Sequence, residues 1–262
     1  MKVVISRPVA LTVAGSDSGG GAGIQADLNT FRAFNVFGTC AVTCITAQNP
    51  DRITAVQPAR PEIVADQMEC VFSAFRVGGA KTGMLYDAEI VETVASVFRK
   101  HAFRSLVVDP VMVATSGGRL LKKEALAVLK AKLLPQAAVV TPNLAEAEIL
   151  WKRRILTLPE MREAARALSG LLGVAVLVKG GHRPRSRLVV DVLFDGNNLY
   201  EFSAPIIRNV KTHGTGCALS AAIAANLALG HDLVGSIRRA KKFVMKAIRN
   251  AIPMGNYLVL SL

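Results

Sequence analysis

Aromatic residues are scarce in this chain, with one Trp, three Tyr and ten Phe making up 5% of 262 residues. No RNA-binding motif occurs either, so there is little for nucleobases to stack on, and nucleic acid is not the expected partner despite a net charge of +13. Cysteines are few, and Cys40, Cys44, Cys70 and Cys217 form no C-x-x-C pair and have no His at zinc-like spacing. A disulfide framework and a structural metal are therefore both set aside, and free thiols suit a reducing cytoplasm. Long apolar runs are missing too. Nothing approaches the roughly 18 residues needed to cross a bilayer, and Lys2 and Arg7 precede only a short apolar stretch, so neither a membrane span nor export is expected. No G-x-x-x-x-G-K-[ST] string is present, which removes the P-loop route to nucleotide binding.

Acidic side chains are outnumbered, 19 to 32. The excess charge collects between Lys152 and Arg187 and between Arg238 and Arg249. In the second region Arg238, Lys242, Lys246 and Arg249 fall on one stripe while Ile237, Val244 and Ile248 fall on another, the pattern of a surface helix with a solvated basic face. A general attraction for anionic substrates or surfaces is the functional consequence.

What the chain does have is apolar residue, at 51% ample for a buried core. Short Val-rich runs without alternation read as buried parallel strands: Val9 to Ala14, Cys40 to Ala47, Ala80 to Thr82, Leu106 to Val108, Val139 to Thr141 and Val174 to Val178. Helical spacing lies between them, over Ile24 to Phe34, Ile63 to Phe75, Ala88 to Lys100, Lys122 to Leu133 and Glu160 to Leu172. The repeated βα unit predicts a doubly wound α/β sandwich. A hairpin is predicted at Leu188 to Phe194 and Asn198 to Phe202, turning at Asp195-Gly196-Asn197. With no linker or repeat, residues 1–262 read as one domain.

In such sheets ligands bind beyond the carboxyl ends of the strands. Glycine and polar positions recur there: Gly15 to Gly23, Gln48-Asn49, Gly83-Met84, Asp109-Pro110, Pro142-Asn143 and Lys179-Gly-Gly-His182. The segment Lys211 to Cys217, K-T-H-G-T-G-C, runs a glycine turn into a helix of small residues, Cys217 to Leu229. Gly214, Thr215 and Gly216 there can offer unpaired N–H groups to a phosphoryl group, though the same string also reads as a tight turn capped by Thr215. Gly21-Ala-Gly23-Ile-Gln-Ala26 matches a dinucleotide fingerprint only weakly, because Gln48 and Asn49 stand where its acidic residue belongs. Asn143 and Glu146 have the spacing of a capping box, or else join Asp109 around magnesium and phosphates. Lys179 ends an apolar strand before two glycines and is read as a phosphate contact. His182 and His213 read equally well as ordinary loop residues.

Seven motifs in register carry a resemblance over nearly the whole chain: the Gly15 to Asp27 loop, Ala47-Gln48-Asn49, Lys81-Thr-Gly-Met84, Asp109-Pro-Val-Met112, Thr141-Pro-Asn143 with Glu146, Lys179-Gly-Gly-His182 and Thr212 to Cys217. Together they resemble the hydroxymethylpyrimidine/phosphomethylpyrimidine kinases of thiamine biosynthesis. The resemblance implies a ribokinase-like three-layer sandwich, a homodimer, and ATP- and Mg²⁺-dependent phosphorylation of 4-amino-5-hydroxymethyl-2-methylpyrimidine and then of its monophosphate. Carried over, Asp27, Gln48, Met84, Val111 and Gly15 line the pyrimidine pocket, and Gly214 to Cys217 form the anion hole. Lys179, Asn143 and Thr215 serve the nucleotide, and Asp109 and Glu146 serve the metal. A vitamin B6 kinase and a non-catalytic pyrimidine-binding protein are the alternatives.

Two departures stand out: Lys211 replaces the family's usual Asn, and Met254 to Leu262 replaces its usual C-terminal extension, which bears on closure of the nucleotide side or on oligomer contacts. Many superfamily relatives carry Asp at the position of Cys217, acting as general base. At a helix start the Cys217 pKa is expected to fall, allowing a thiolate to take the alcohol proton. A neutral thiol, by contrast, would tolerate an alcohol and a phosphate acceptor alike.

Overall fold

The computed structural model describes residues 7–113, 120–181, 187–208, 210 and 213–262. Nine strands form one sheet: β1 (Val9–Asp17), β2 (Phe37–Gln48), β3 (Ile53–Pro58), β4 (Val77–Thr82), β5 (Leu106–Val108), β6 (Val139–Val140), β7 (Ala175–Val178), β8 (Leu188–Phe194) and β9 (Leu199–Pro205). Their spatial order is β3-β2-β1-β4-β5-β6-β7-β8-β9, with β2 to β7 and β1 mutually parallel except for β3, and with β3, β8 and β9 pairing antiparallel at the two edges. The chain steps outward from β1 in one direction and from β4 in the other, so a crevice opens between the loops that leave these two strands.

Both faces of the sheet are covered, which is why the strands read as continuous apolar runs. Neighbouring residues point to opposite faces. Leu11, Val13, Leu106, Val108, Val176 and Val178 enter one core, with Ile90 and Phe98 of α3 (Ala88–Lys100), Val64 and Met68 of α2 (Pro61–Ala74), Met161 and Leu168 of α6 (Leu158–Leu172), and the segment of α4 (Ala125–Val128). Ala10, Val107, Val139 and Leu177 enter the other, with Phe31 of α1 (Gly23–Ala33), Ile223 of α7 (Thr215–Ala228), and Ile237 and Val244 of α8 (Leu233–Arg249). The remaining helix, α5 (Leu144–Trp151), follows β6.

Three features depart from the sequence expectations. Strand β3 was not foreseen; it is a half-exposed edge with little buried apolar surface, so its pattern is weak. The helix expected from Lys122 begins only at Ala125 and widens into a π turn over Leu129–Leu133. The C-terminal segment folds into a separate hairpin, β10 (Ile252–Met254) with β11 (Tyr257–Val259). Tyr257 Oη donates to Asp51 Oδ2 at 2.5 Å, so this hairpin sits against the β2–β3 turn next to Gln48. Among the described residues no helix is long and apolar enough to cross a membrane.

Candidate active site

Helix capping marks out the cleft. Asp87, Asn143, Thr157 and Asp232 each cap their helix through the side chain, for α3, α5, α6 and α8. Helix α7 has neither a capping side chain nor an acidic residue in its first turn, so its positive end stays available to an anion; α1 lacks both as well, but the Asp17 carboxylate already takes the Ala22 N–H at its start. The two ends adjoin. Gly214 precedes α7 with φ of 81°, and a Cβ there would run into the Gly21 carbonyl oxygen, so only glycine lets the two turns meet.

Asp17 organises the first turn. Its carboxylate accepts from the N–H groups of Gly19 (2.8 Å), Gly21 (3.1 Å) and Ala22 (2.8 Å), so the glycine-rich stretch is a fixed turn rather than a loose one. His213 packs over Gly21, its Nε2 buried, without a hydrogen bond, and 3.8 Å from Asp17 Oδ2.

Beyond the ends of β5 and β7, Lys179 Nζ lies 2.9 Å from Asp109 Oδ1, and Ser220 of α7 reaches Asp109 Oδ2 at 3.4 Å. Gly216 lies directly over this pair: a Cβ there would stand 3.3 Å from Lys179 Nζ and 3.6 Å from Asp109 Oδ2. Gly214, Thr215 and Gly216 are thus the start of α7 beside a cation. Burial works against the Lys179 charge, but Asp109 and then Glu146 hold its pKa above the ordinary lysine value.

Asn143 and Glu146 form a complete capping box at α5. Glu146 Oε2 accepts from the Asn143 N–H at 2.9 Å, and its Oε1 accepts from the Met112 N–H at 3.1 Å. Both of its oxygens are engaged in structure. Burial raises the Glu146 pKa, opposed by Lys179 and reinforced by Asp109. Among the described residues no three His, Cys, Asp or Glu side chains gather as a metal cage. Two carboxylates beside Lys179 and the start of α7 are nevertheless the kind of donor that suits Mg²⁺, which commonly relies on waters and substrate phosphates for its remaining ligands.

At the end of β2, Gln48 is half-buried; its Oε1 accepts from Thr46 Oγ1 at 3.1 Å, and its amide nitrogen makes no hydrogen bond among the described residues. Its main chain interlocks with Ser18 through two bonds of 2.8 Å, tying it to the glycine turn. Gly15 and buried Met84 come from the two diverging strands and meet: a Cβ on Gly15 would stand 3.6 Å from Met84 Sδ and 2.6 Å from Cys44 Sγ. Val111 has φ of 40°, a strained value for a β-branched residue, just after Pro110.

Asp27 lies deeper than its expected role in lining the pocket. It is fully buried, accepting from Thr12 Oγ1 at 2.6 Å and paired with Lys81 Nζ at 3.0 Å. Lys81 was not singled out from the sequence, although a lysine inside an apolar strand is the same signal that picked out Lys179. Burial opposes its charge, yet Asp27, with Cys217 and Asp109 behind it, holds its pKa above the ordinary value.

Cys217 corrects an expectation. The Gly23 N–H points toward its sulfur and Lys81 favours a thiolate, but desolvation outweighs both, helped by Asp27 and Asp109, and pushes the thiol up to about 11. A helix start lowers a thiol pKa only where the sulfur stays solvated or faces net positive charge. His182, Lys211 and Thr212 lie outside the described residues.

The phosphomethylpyrimidine kinase family profile matches residues 17–260. A hydroxymethylpyrimidine/phosphomethylpyrimidine kinase of Rhizobium meliloti is 48% identical over 244 residues, covering 93% of this chain and 91% of that protein. A thiamine biosynthesis bifunctional protein, ThiED, of Geobacter sulfurreducens is 47% identical over 249 residues, 95% of this chain but 51% of that longer protein. Among solved structures, the ADP complex of Bacillus subtilis pyridoxal kinase superposes with a TM-score of 0.89 at 36% identity, covering 97% of each chain, so the ribokinase-like expectation holds. With the profile spanning nearly its whole length and a near-full-length relative at 48% identity, the chain belongs to the phosphomethylpyrimidine kinase family.

Proposed function

We propose that residues 1–262 form one cytoplasmic kinase domain, acting as a homodimer, that uses ATP and Mg²⁺ to phosphorylate 4-amino-5-hydroxymethyl-2-methylpyrimidine and then its monophosphate. The observation that carries the reading is the seating of the α7 start on the Lys179–Asp109 pair, a cation and a row of backbone donors focused on one spot. The γ-phosphoryl group would sit there, with Gly214 to Cys217 as the anion hole and Lys179, Asn143 and Thr215 toward the nucleotide. Mg²⁺, held by Asp109 and Glu146 through waters and by the phosphates, would neutralise charge on the transferring group.

The acceptor would lie over Gly15, Met84 and Val111, with the Gln48 amide pairing the aminopyrimidine edge and Asp27 acting from below through Lys81. Cys217 would face its reacting oxygen as a neutral thiol. A phosphate acceptor needs no proton removed, and a fixed carboxylate would repel it, so a thiol with a raised pKa suits both steps. Catalysis then rests on in-line positioning and charge neutralisation more than on a base.

A vitamin B6 kinase is the second reading, favoured by the superposition on pyridoxal kinase. One ATP-coupled assay across hydroxymethylpyrimidine, its phosphate and pyridoxal separates the two. Turnover of both pyrimidines is expected; turnover of pyridoxal alone overturns the first reading. A hydrodynamic mass of twice 27.9 kDa is expected for the homodimer, and a mass of 27.9 kDa rejects it.

A further inference from the structure

Besides Lys81–Asp27 and Lys179–Asp109, one other lysine–aspartate pair among the described residues is largely buried. Lys241, in the middle of α8, places Nζ 2.6 Å from Asp191 Oδ2 on β8, with side-chain exposures of 11% and 5%. This is the one cation of α8 turned inward; Arg238, Arg239, Lys242, Lys246 and Arg249 all face solvent. A buried ion pair is weak evidence for stability, since desolvating both charges costs much of what their attraction returns. An apolar pair would join α8 to β8 as well.

The second oxygen of Asp191 gives the pair a direction. Oδ1 accepts from the N–H of Gly180 at 2.9 Å, and Gly180 follows Lys179 immediately. Gly180 is packed so tightly that a Cβ would collide with the Val190 carbonyl oxygen, so the carboxylate grips a backbone amide with no room to shift. The N–H of Lys179 itself donates to the Pro142 carbonyl at 2.8 Å. Lys179 is therefore held through its own amide from the β6–α5 side and through the next amide from the β8–α8 side.

We propose that Lys241 and Asp191 are positioning residues for phosphoryl transfer: their ion pair fixes the Gly180 amide and so aims the Lys179 side chain at the start of α7. The role rests on the reading that Lys179 serves the phosphate. Lys241 orients Asp191, Asp191 holds Gly180, and neither touches substrate.

The test compares Asp191→Asn and Lys241→Gln in two backgrounds, the intact chain and Lys179→Ala, with Lys241→Arg as the conservative variant. In the intact chain kcat with the aminopyrimidine is expected to fall about tenfold for each variant, as a displaced catalytic group would cause. Aminopyrimidine affinity measured by calorimetry should be unchanged, and Lys241→Arg should recover most of the rate. In the Lys179→Ala background the same substitutions should cost less than about twofold, because the group they aim is gone. An equal factor in both backgrounds, or a loss confined to the thermal midpoint with kcat per folded molecule intact, overturns the proposal. If Lys179→Ala alone leaves turnover unchanged, the underlying reading of Lys179 fails instead. Should Lys241→Gln not fold, Asp191→Asn and Lys241→Arg still decide, since the first preserves the volume of the pair and the second its positive charge.

Discussion

The two halves of the cleft handle charge in opposite ways. On the proposed phosphate side Lys179 and Asp109 stand at the strand ends against the bare start of α7. On the proposed acceptor side the charges of Asp27 and Lys81 are sealed in the core at 0% exposure, and what surrounds the expected pocket is neutral: Gly15, Gln48, Met84, Val111 and a thiol. Electrostatic stabilisation belongs where charge moves, and shape with hydrogen bonding belongs where a neutral heteroaromatic ring is chosen. Cys217 lies on the boundary between the halves, close enough to feel Lys81, Asp27 and Asp109 together.

If this division is correct, the two halves fail differently. The largest effect is expected from Lys179→Ala, which should lower turnover roughly 10² to 10³-fold with either acceptor while leaving calorimetric binding of the aminopyrimidine intact. Loss of pyrimidine binding as well would erase the distinction. Gln48→Leu should act on the other half only. With about 1–3 kcal/mol for each polar group left unpaired, kcat/KM for the aminopyrimidine should fall roughly 5- to 150-fold at an unchanged KM for ATP.

Cys217 sharpens the boundary. Cys217→Ala should slow transfer to the alcohol by about tenfold, less than the loss of a full general base, and spare transfer to the phosphorylated acceptor. Cys217→Asp should preserve the first step and depress the second. Equal losses in both steps would reduce Cys217 to a packing role. The sign of its shift also predicts a pH profile: with the folded thiol near pH 11, above its ordinary 9.0, it stays protonated through neutral pH. Alkylation at pH 8 should run about a hundredfold slower than for an unshifted thiol and rise about tenfold per pH unit until ionisation is complete.

The smallest effect is expected at Glu146→Gln. One of its two backbone bonds would be lost, because an amide presents a single acceptor, at a cost of about 0.5–2 kcal/mol measured as a shift in the thermal midpoint. A raised Mg²⁺ requirement alongside that shift supports the metal role; the midpoint shift alone assigns Glu146 to the helix cap.

Local patterns were legible where a residue's environment follows from its near neighbours. Leu106–Val108, Ala88–Lys100 and the β8 strand were read with the bounds observed, because buried runs and amphipathic periods are properties of the segment itself. The glycine turns and Lys179 were equally visible, since a lysine ending an apolar strand is anomalous on any fold. Lys81 gave the same signal without being singled out. Strand β3 and the C-terminal hairpin escaped because exposed edges carry little pattern.

By itself the sequence determined the layered architecture and the set of strand ends from which a site could be built, because periodicity and chain order dictate both. It could not decide how deep a charged group would lie or which other charge would meet it. Asp27 meets Lys81 across 54 positions, Asp109 meets Lys179 across 70, and Asp191 meets Lys241 across 50. The protonation of Cys217 was decided in the same way: a helix start argues for a lowered pKa, and only the packed surroundings, with desolvation and two distant carboxylates, reverse it. Solvation and long-range Coulomb interaction depend on three-dimensional distance, and tertiary structure alone sets that distance.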